Sequence, residues 1–243
     1  MLCLRRLTAA ILTNFNEKYY PLVKQEKHRL LNSILFPALF VVVLWLVKGI
    51  DILFNLDLNQ YGLYPLRIRG LPGILISPFL HANLSHLFAN SIPLFLLLAF
   101  LFYFYEEISW MILILIYLIT GFLVWVYARG DAVHVGASGV IYGLASFLFL
   151  SGIIRKEKGL MVLTLLVTFL YGGLIWGIFP QFFPNQPISW ESHLMGLLAG
   201  LILALYYKNS GPQKKEWIWE EEENETDDNS WKDPQIDTDP PKD

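Results

Sequence analysis

Three short groups of residues have the types and spacings that chemistry on a carbonyl carbon needs. Gly136-Ala137-Ser138-Gly139 opens one apolar stretch, His193 opens another 55 residues further on, and His81, His86 and Asn90 stand at the start of a third. A serine hydroxyl is a weak nucleophile until a neighbouring base takes its proton, and imidazole titrates near neutral pH. Ser138 and His193 are therefore the candidate nucleophile and base. Tyr142, one helical turn after Ser138, lies on the same helix face and is placed to stack on His193. Attack on an amide builds negative charge on its oxygen, and that charge needs preorganised donors. His86 and Asn90, four apart on one helix face, can both donate, and the Ser138 backbone N–H at a helix start adds a third donor. His81 reads as a hydrogen-bonding group that holds the loop before His86. Glu191 lies about 200° around a helix from His193 and should point elsewhere, so the spacing predicts a dyad without an acidic third member. His134 reads as an exposed or loop-satisfied histidine.

These side chains have to be carried by membrane-length elements. A hydrocarbon core about 30 Å thick takes roughly 20 helical residues. Six stretches qualify: Ile34–Phe54, interrupted by Lys48 and Asp51 toward its end, then Leu84–Phe104, Ile108–Tyr127, Ala137–Ile153, Leu160–Phe179 and Trp190–Tyr207. The expected architecture is all-α, a polytopic bundle of six transmembrane helices. Lysine and arginine concentrate before the first stretch, between the fourth and fifth (Arg155, Lys156, Lys158) and after the sixth (Lys208, Lys214, Lys215). The positive-inside bias then puts both termini in the cytoplasm. The second, fourth and sixth stretches all start on the opposite side, so His86 and Asn90, Ser138, and His193 share one depth near the outer face. Gly139 and Gly143, set against Gly196 and Gly200, supply small residues that let the fourth and sixth stretches approach closely.

Composition fits this placement. The 243 residues are 55% hydrophobic and 16% charged, and the mean hydropathy is +0.46, which a soluble domain of this length does not reach. The charge is divided: residues 216–243 hold twelve acidic and two basic residues, and the preceding 215 carry a net +7. The expected organisation is a cytoplasmic segment over 1–33 with the helical spacing to lie along the membrane surface, the helical domain over 34–207, and an acidic, solvated tail over 208–243. A single cysteine, Cys3, excludes an intrachain disulfide and a cysteine metal site. His81 and His86 are five apart with no Glu between them, which argues against the His-Glu-x-x-His pattern of a zinc site. Only Asp51 lies within a span, so a pair of catalytic aspartates is not available. A transporter would want repeat symmetry and midplane charges, and neither is present. No metal, cofactor or nucleic-acid partner is expected. The bilayer itself is the expected partner, and with no organelle-type presequence evident a bacterial plasma membrane is the plainest location.

His81-x4-His86-x3-Asn90, Gly136-Ala137-Ser138-Gly139 with Tyr142, and His193-x2-Gly196-x3-Gly200, in that order over residues 34–207, resemble the rhomboid family of intramembrane serine proteases. The resemblance implies a six-helix core and a water-accessible site open toward the membrane exterior. It implies Ser138 as nucleophile, His193 as general base, and His86 and Asn90 as oxyanion donors. Family substrates are membrane-anchored proteins cut in or near a transmembrane segment. The alternative is an inert relative that binds transmembrane helices without cutting them; such relatives usually lack the Ser or the His. One departure stands out: the Asn55–Leu80 segment lacks the family's common Trp-Arg pair and offers Arg67 and Arg69 instead, residues equally suited to lipid phosphates. Phe179, Phe182 and Phe183, in a loop broken by Pro180, Pro184 and Pro187, are expected to cap the site, and this loop with the top of the fifth span is the candidate mobile gate.

Overall fold

The computed structural model describes residues 2–170, 179 and 189–211, with the backbone alone for 2–23, 25 and 170. The described residues are helical throughout, apart from loops and one isolated antiparallel bridge between Leu63 and His134. Helix α1 runs without a break over Leu2–Phe54, so the basic N-terminal segment and the first apolar stretch share one helix. Short turns at Leu58–Tyr61, Ile68–Gly70 and Ser77–Phe79, with the one-turn helix α2 at Gly73–Ile76, fill the next segment. Then follow α3 (Leu84–Phe104), α4 (Ser109–Tyr127), α5 (Ser138–Arg155), α6 (Lys158–Leu170) and α7 (Trp190–Tyr206). Four helical segments are long and apolar enough to cross a membrane: Glu26–Phe54, α3, α4 and α5. Helices α6 and α7 are apolar and shorter over their described lengths. The protein is an all-α, multi-pass membrane protein.

Helix α5 is the hub. Of its membrane-length window 72% is buried, against 17% for the window in α1, so α5 is surrounded by protein while α1 turns most of its surface to lipid. Leu94, Leu97, Leu98 and Leu101 of α3, Ile112 and Ile116 of α4, and Ile141, Leu144, Phe147 and Leu148 of α5 form the apolar interior. Hydrocarbon is as apolar as leucine, so helix association here has to come from close packing and from hydrogen bonds between helices. The α5–α7 contact supplies both. A Cβ on Gly196 would stand 1.9 Å from the Gly139 carbonyl oxygen, and one on Gly200 would stand 2.1 Å from that of Gly143. Only glycine permits this backbone-to-backbone approach. Ser146 Oγ adds a hydrogen bond to the Leu197 carbonyl at 2.9 Å.

Polar contacts fix the remaining pieces. Lys48 and Asp51, which interrupt the apolar run of α1, form a buried ion pair at 2.8 Å, and Asp51 Oδ1 accepts from the Leu58 N–H at 2.9 Å. Trp45 Nε1 donates to Ser91 Oγ at 3.0 Å, tying α1 to α3. Arg67 and Arg69 are occupied within the protein: Arg67 Nη2 donates to the Gly130 carbonyl at 3.3 Å, and the Arg69 guanidinium lies over the Tyr64 ring, 4.7 Å from its centroid. At the opposite end Arg155 donates to Tyr105 Oη at 2.7 Å and to the Tyr207 carbonyl at 2.6 Å. The acidic tail beyond Gly211, and Pro180, Phe182, Phe183, Pro184 and Pro187 of the expected gate, lie outside the described residues; Phe179 is exposed.

Candidate active site

Ser138 is the first residue of α5, and Ala137 before it offers no side-chain cap. The backbone enters through Gly136 at φ +111°, a conformation that favours glycine, and the Gly136 N–H donates to the Ser77 carbonyl at 2.9 Å. His193 is the fourth residue of α7. Because Gly139, directly after Ser138, and Gly196, one turn after His193, bring the two backbones into contact, the first turns of α5 and α7 meet side by side. Ser138 Oγ and His193 Nε2 are 2.9 Å apart, and both side chains are buried. The Tyr142 ring stacks on the His193 imidazole at 4.3 Å between centroids and 14° between planes. That stacking restricts rotation of the imidazole and aims its edge at Ser138.

The second and third groups close on the same place. The Asn83 side chain caps α3 by accepting from the His86 N–H at 2.8 Å, which sets where His86 enters the helix. His86 and Asn90 then lie against the glycine that precedes the serine: a Cβ on Gly136 would stand 2.8 Å from His86 Nε2 and 3.4 Å from Asn90 Nδ2. Asn90 Nδ2 is buried with no hydrogen-bond partner among the described residues. His81 meets His86 edge-on at 5.2 Å between ring centroids. Neither His81 nitrogen has a partner in strict hydrogen-bonding geometry, although the Phe79 backbone of the preceding loop approaches the ring. Burial, with His86 alongside, pushes the His81 imidazole down to about 3. The candidate residues from all three groups are thus gathered around the start of α5.

Glu191 points away from His193, as the helical angle predicts, and its buried carboxylate pairs with Arg129. His134 is a different matter. It is buried, its Nδ1 contacts Ser189 Oγ, and burial holds it below the ordinary histidine range. The available signal was its position four residues before Ser138; its partners lie 55 and 58 residues away, where no local pattern reaches. Among the described residues no cluster of His, Cys, Asp or Glu has the grouping of a metal site.

A multi-pass helical membrane protein with a serine and a histidine in contact at two glycine-packed helix starts defines a narrow class. The rhomboid domain matches residues 69–210, which contain every candidate site residue. An uncharacterized protein of Mycobacterium tuberculosis is 37% identical over 183 residues, covering 72% of this chain and 75% of that protein. A Bacillus subtilis protein named provisionally as a rhomboid protease is 32% identical over 144 residues, covering 54% of this chain and 64% of its own length. A protein of Acanthamoeba polyphaga mimivirus, provisionally named a rhomboid protein, is 33% identical over 142 residues, 55% of this chain and 73% of that one. The chain belongs to the rhomboid family.

Proposed function

We propose that this protein is an intramembrane serine endopeptidase that hydrolyses peptide bonds in or near transmembrane segments of membrane-anchored proteins. The observation that carries the reading is the 2.9 Å contact between Ser138 Oγ and His193 Nε2, made by two buried side chains inside a polar site. Polar groups in a membrane domain are costly, and a serine–histidine contact that meets the geometry of general-base catalysis accounts for their presence.

In the proposed reaction Ser138 Oγ attacks the scissile carbonyl carbon while its proton passes to His193 Nε2. The carbonyl oxygen becomes an oxyanion and accepts hydrogen bonds from a His86 ring N–H, from Asn90 Nδ2 and from the Ser138 backbone N–H. Collapse breaks the C–N bond, and His193 returns the proton to the departing amine. A water molecule, deprotonated by His193, then attacks the acyl-serine ester; its collapse frees the new carboxyl terminus and restores the Ser138 hydroxyl. No cofactor takes part. The site sits at the N-terminal ends of α3, α5 and α7. The basic residues Arg155, Lys156 and Lys208 at the other ends support placing those ends, and both termini, in the cytoplasm, with the site toward the outer face of a bacterial plasma membrane.

The test is cleavage of a reporter with one transmembrane segment by the purified full-length protein in proteoliposomes. Ser138→Ala and His193→Ala should each bring cleavage to background with unchanged thermal unfolding. Persistent cutting by Ser138→Ala would falsify the reading.

A further inference from the structure

His134 takes no part in the steps above, yet it stands where three parts of the chain meet. Its backbone is paired in both directions with the segment after α1: the His134 N–H donates to the Leu63 carbonyl at 2.9 Å and its carbonyl accepts from the Leu63 N–H at 3.0 Å. Its ring reaches the other way, toward α7. Nδ1 lies 2.5 Å from Ser189 Oγ and 3.5 Å from Ser192 Oγ, and the two serine oxygens are 2.6 Å apart. Ser192 immediately precedes His193, and its carbonyl oxygen lies 3.1 Å from where a Cβ on Gly139 would stand. A short path of packed groups therefore runs from the segment that feeds Ser138, through one imidazole, to the helix turn that carries His193.

Ser189 shows that this link is specific. It occupies the N-cap position of α7, where a serine ordinarily accepts from an N–H of the first turn. Ser189 makes no such bond. Its hydroxyl is directed to His134 and Ser192 instead, so a local helix contact is given up for one that spans 55 residues. The other ring nitrogen, Nε2, has no partner in hydrogen-bonding geometry among the described residues, although the Arg129 backbone approaches the ring, and His134 lines a cavity with Ser77, Thr120 and Ser192. The side-chain contacts of the ring run through Nδ1.

We propose that His134 is a positioning residue for Ser138 and His193: it clamps the first turn of α7 to the segment leading into α5 and thereby holds the serine–imidazole contact. The inference rests on the catalytic reading of that pair. Loss of the clamp lets the two helix starts drift, and a displacement of about 1 Å at reacting groups costs about 10²-fold in rate. The loss belongs in kcat, because the clamp does not touch substrate.

The experiment compares steady-state reporter cleavage in proteoliposomes by the unaltered protein and by Ser138→Ala, His134→Ala, His134→Asn and His134→Gln. An asparagine amide falls near the position of Nδ1, and a glutamine amide near that of Nε2. We expect His134→Ala to lower kcat by about 10²-fold with KM within about twofold, His134→Asn to recover about tenfold or more of that loss, and His134→Gln to recover little. Unchanged kcat in His134→Ala, a change confined to KM, or rescue by Gln rather than Asn overturns the clamp. So does a kcat loss that follows the unfolding temperature through all three substitutions. If His134→Ala does not fold, Ser189→Ala removes the partner without touching the ring, and it must show the same fall in kcat at constant KM. Full cleavage by Ser138→Ala, or none by the unaltered protein, defeats the catalytic reading and takes the clamp with it. Normal cleavage in the His134 variants beside a dead Ser138→Ala removes the clamp alone.

Discussion

At the scale of single residues, Asn90 shows how the site is prepared. A buried amide donor without a partner costs about 1–3 kcal/mol, and folded proteins rarely leave one unused. Asn90 Nδ2 is such a donor, beside the glycine that leads into Ser138. In the proposed chemistry its partner is the oxyanion, which exists only along the reaction path. Asn90→Ala is therefore expected to lower kcat by about 10²-fold while KM stays nearly constant, without a matching loss of thermal stability. Steady-state kinetics and unfolding temperature measured on one preparation check it; an effect confined to KM counts against the donor role. Ser138 and His193 differ from Asn90 in being already in contact at 2.9 Å before substrate arrives.

At the scale of elements, that contact is a product of the α5–α7 interface. Gly196 lies one turn from His193, and its Cα faces the Gly139 carbonyl so closely that a methyl group has no room. Gly196→Ala must push the helices apart by an ångström or more, and the helix starts move with them. We expect cleavage to fall by about 10-fold or more and the unfolding temperature to drop. Gly200→Ala meets a similar clash with Gly143, one turn further from the dyad, so its unfolding temperature should drop comparably while activity falls less. Equal activity losses in the two variants would show that the interface acts on stability alone. The same backbone proximity explains why the glycine spacing was readable: small residues four apart leave one stripe per helix, and two such stripes have one way to meet.

At the scale of the whole molecule, the apolar bundle encloses neutral imidazoles in the loops that lead into α3 and α5. His81 is held down to about 3 by burial, and His134 below its usual range for the same reason. Both histidines titrate near 6.5 when exposed, so well above that pH both imidazoles are neutral in the folded and unfolded chains alike and add no pH dependence. As pH falls below 6.5 the unfolded chain takes up protons that the fold excludes, and stability drains until pH reaches the folded value, about 3 for His81. The slope approaches about 1.4 kcal/mol per pH unit for each group. The unfolding temperature in detergent should fall as pH is lowered from 6.5 toward 4, and His81→Leu should flatten that limb. An unchanged limb in His81→Leu would mean that His81 is protonated in the folded state.

The order and nature of the helices, the serine and histidine that meet, the tyrosine that stacks and the glycine stripe were legible in the amino-acid sequence. Hydropathy, helical periodicity and motif spacing are local properties of a chain, and a bilayer leaves few ways to arrange them. Helix α3 runs over Leu84–Phe104 as its apolar stretch predicts, and α5 begins at Ser138 itself. Other features were decided only by tertiary structure. Lys48 and Asp51 read as interruptions of a span, and their role as a buried pair holding Leu58 needed the folded segment after α1. His134 read as a loop histidine because Ser189 and Ser192 are brought to it by the approach of α7. The partners of a polar side chain across a helix interface depend on the rotation and crossing of the helices, which packing sets and no local pattern encodes.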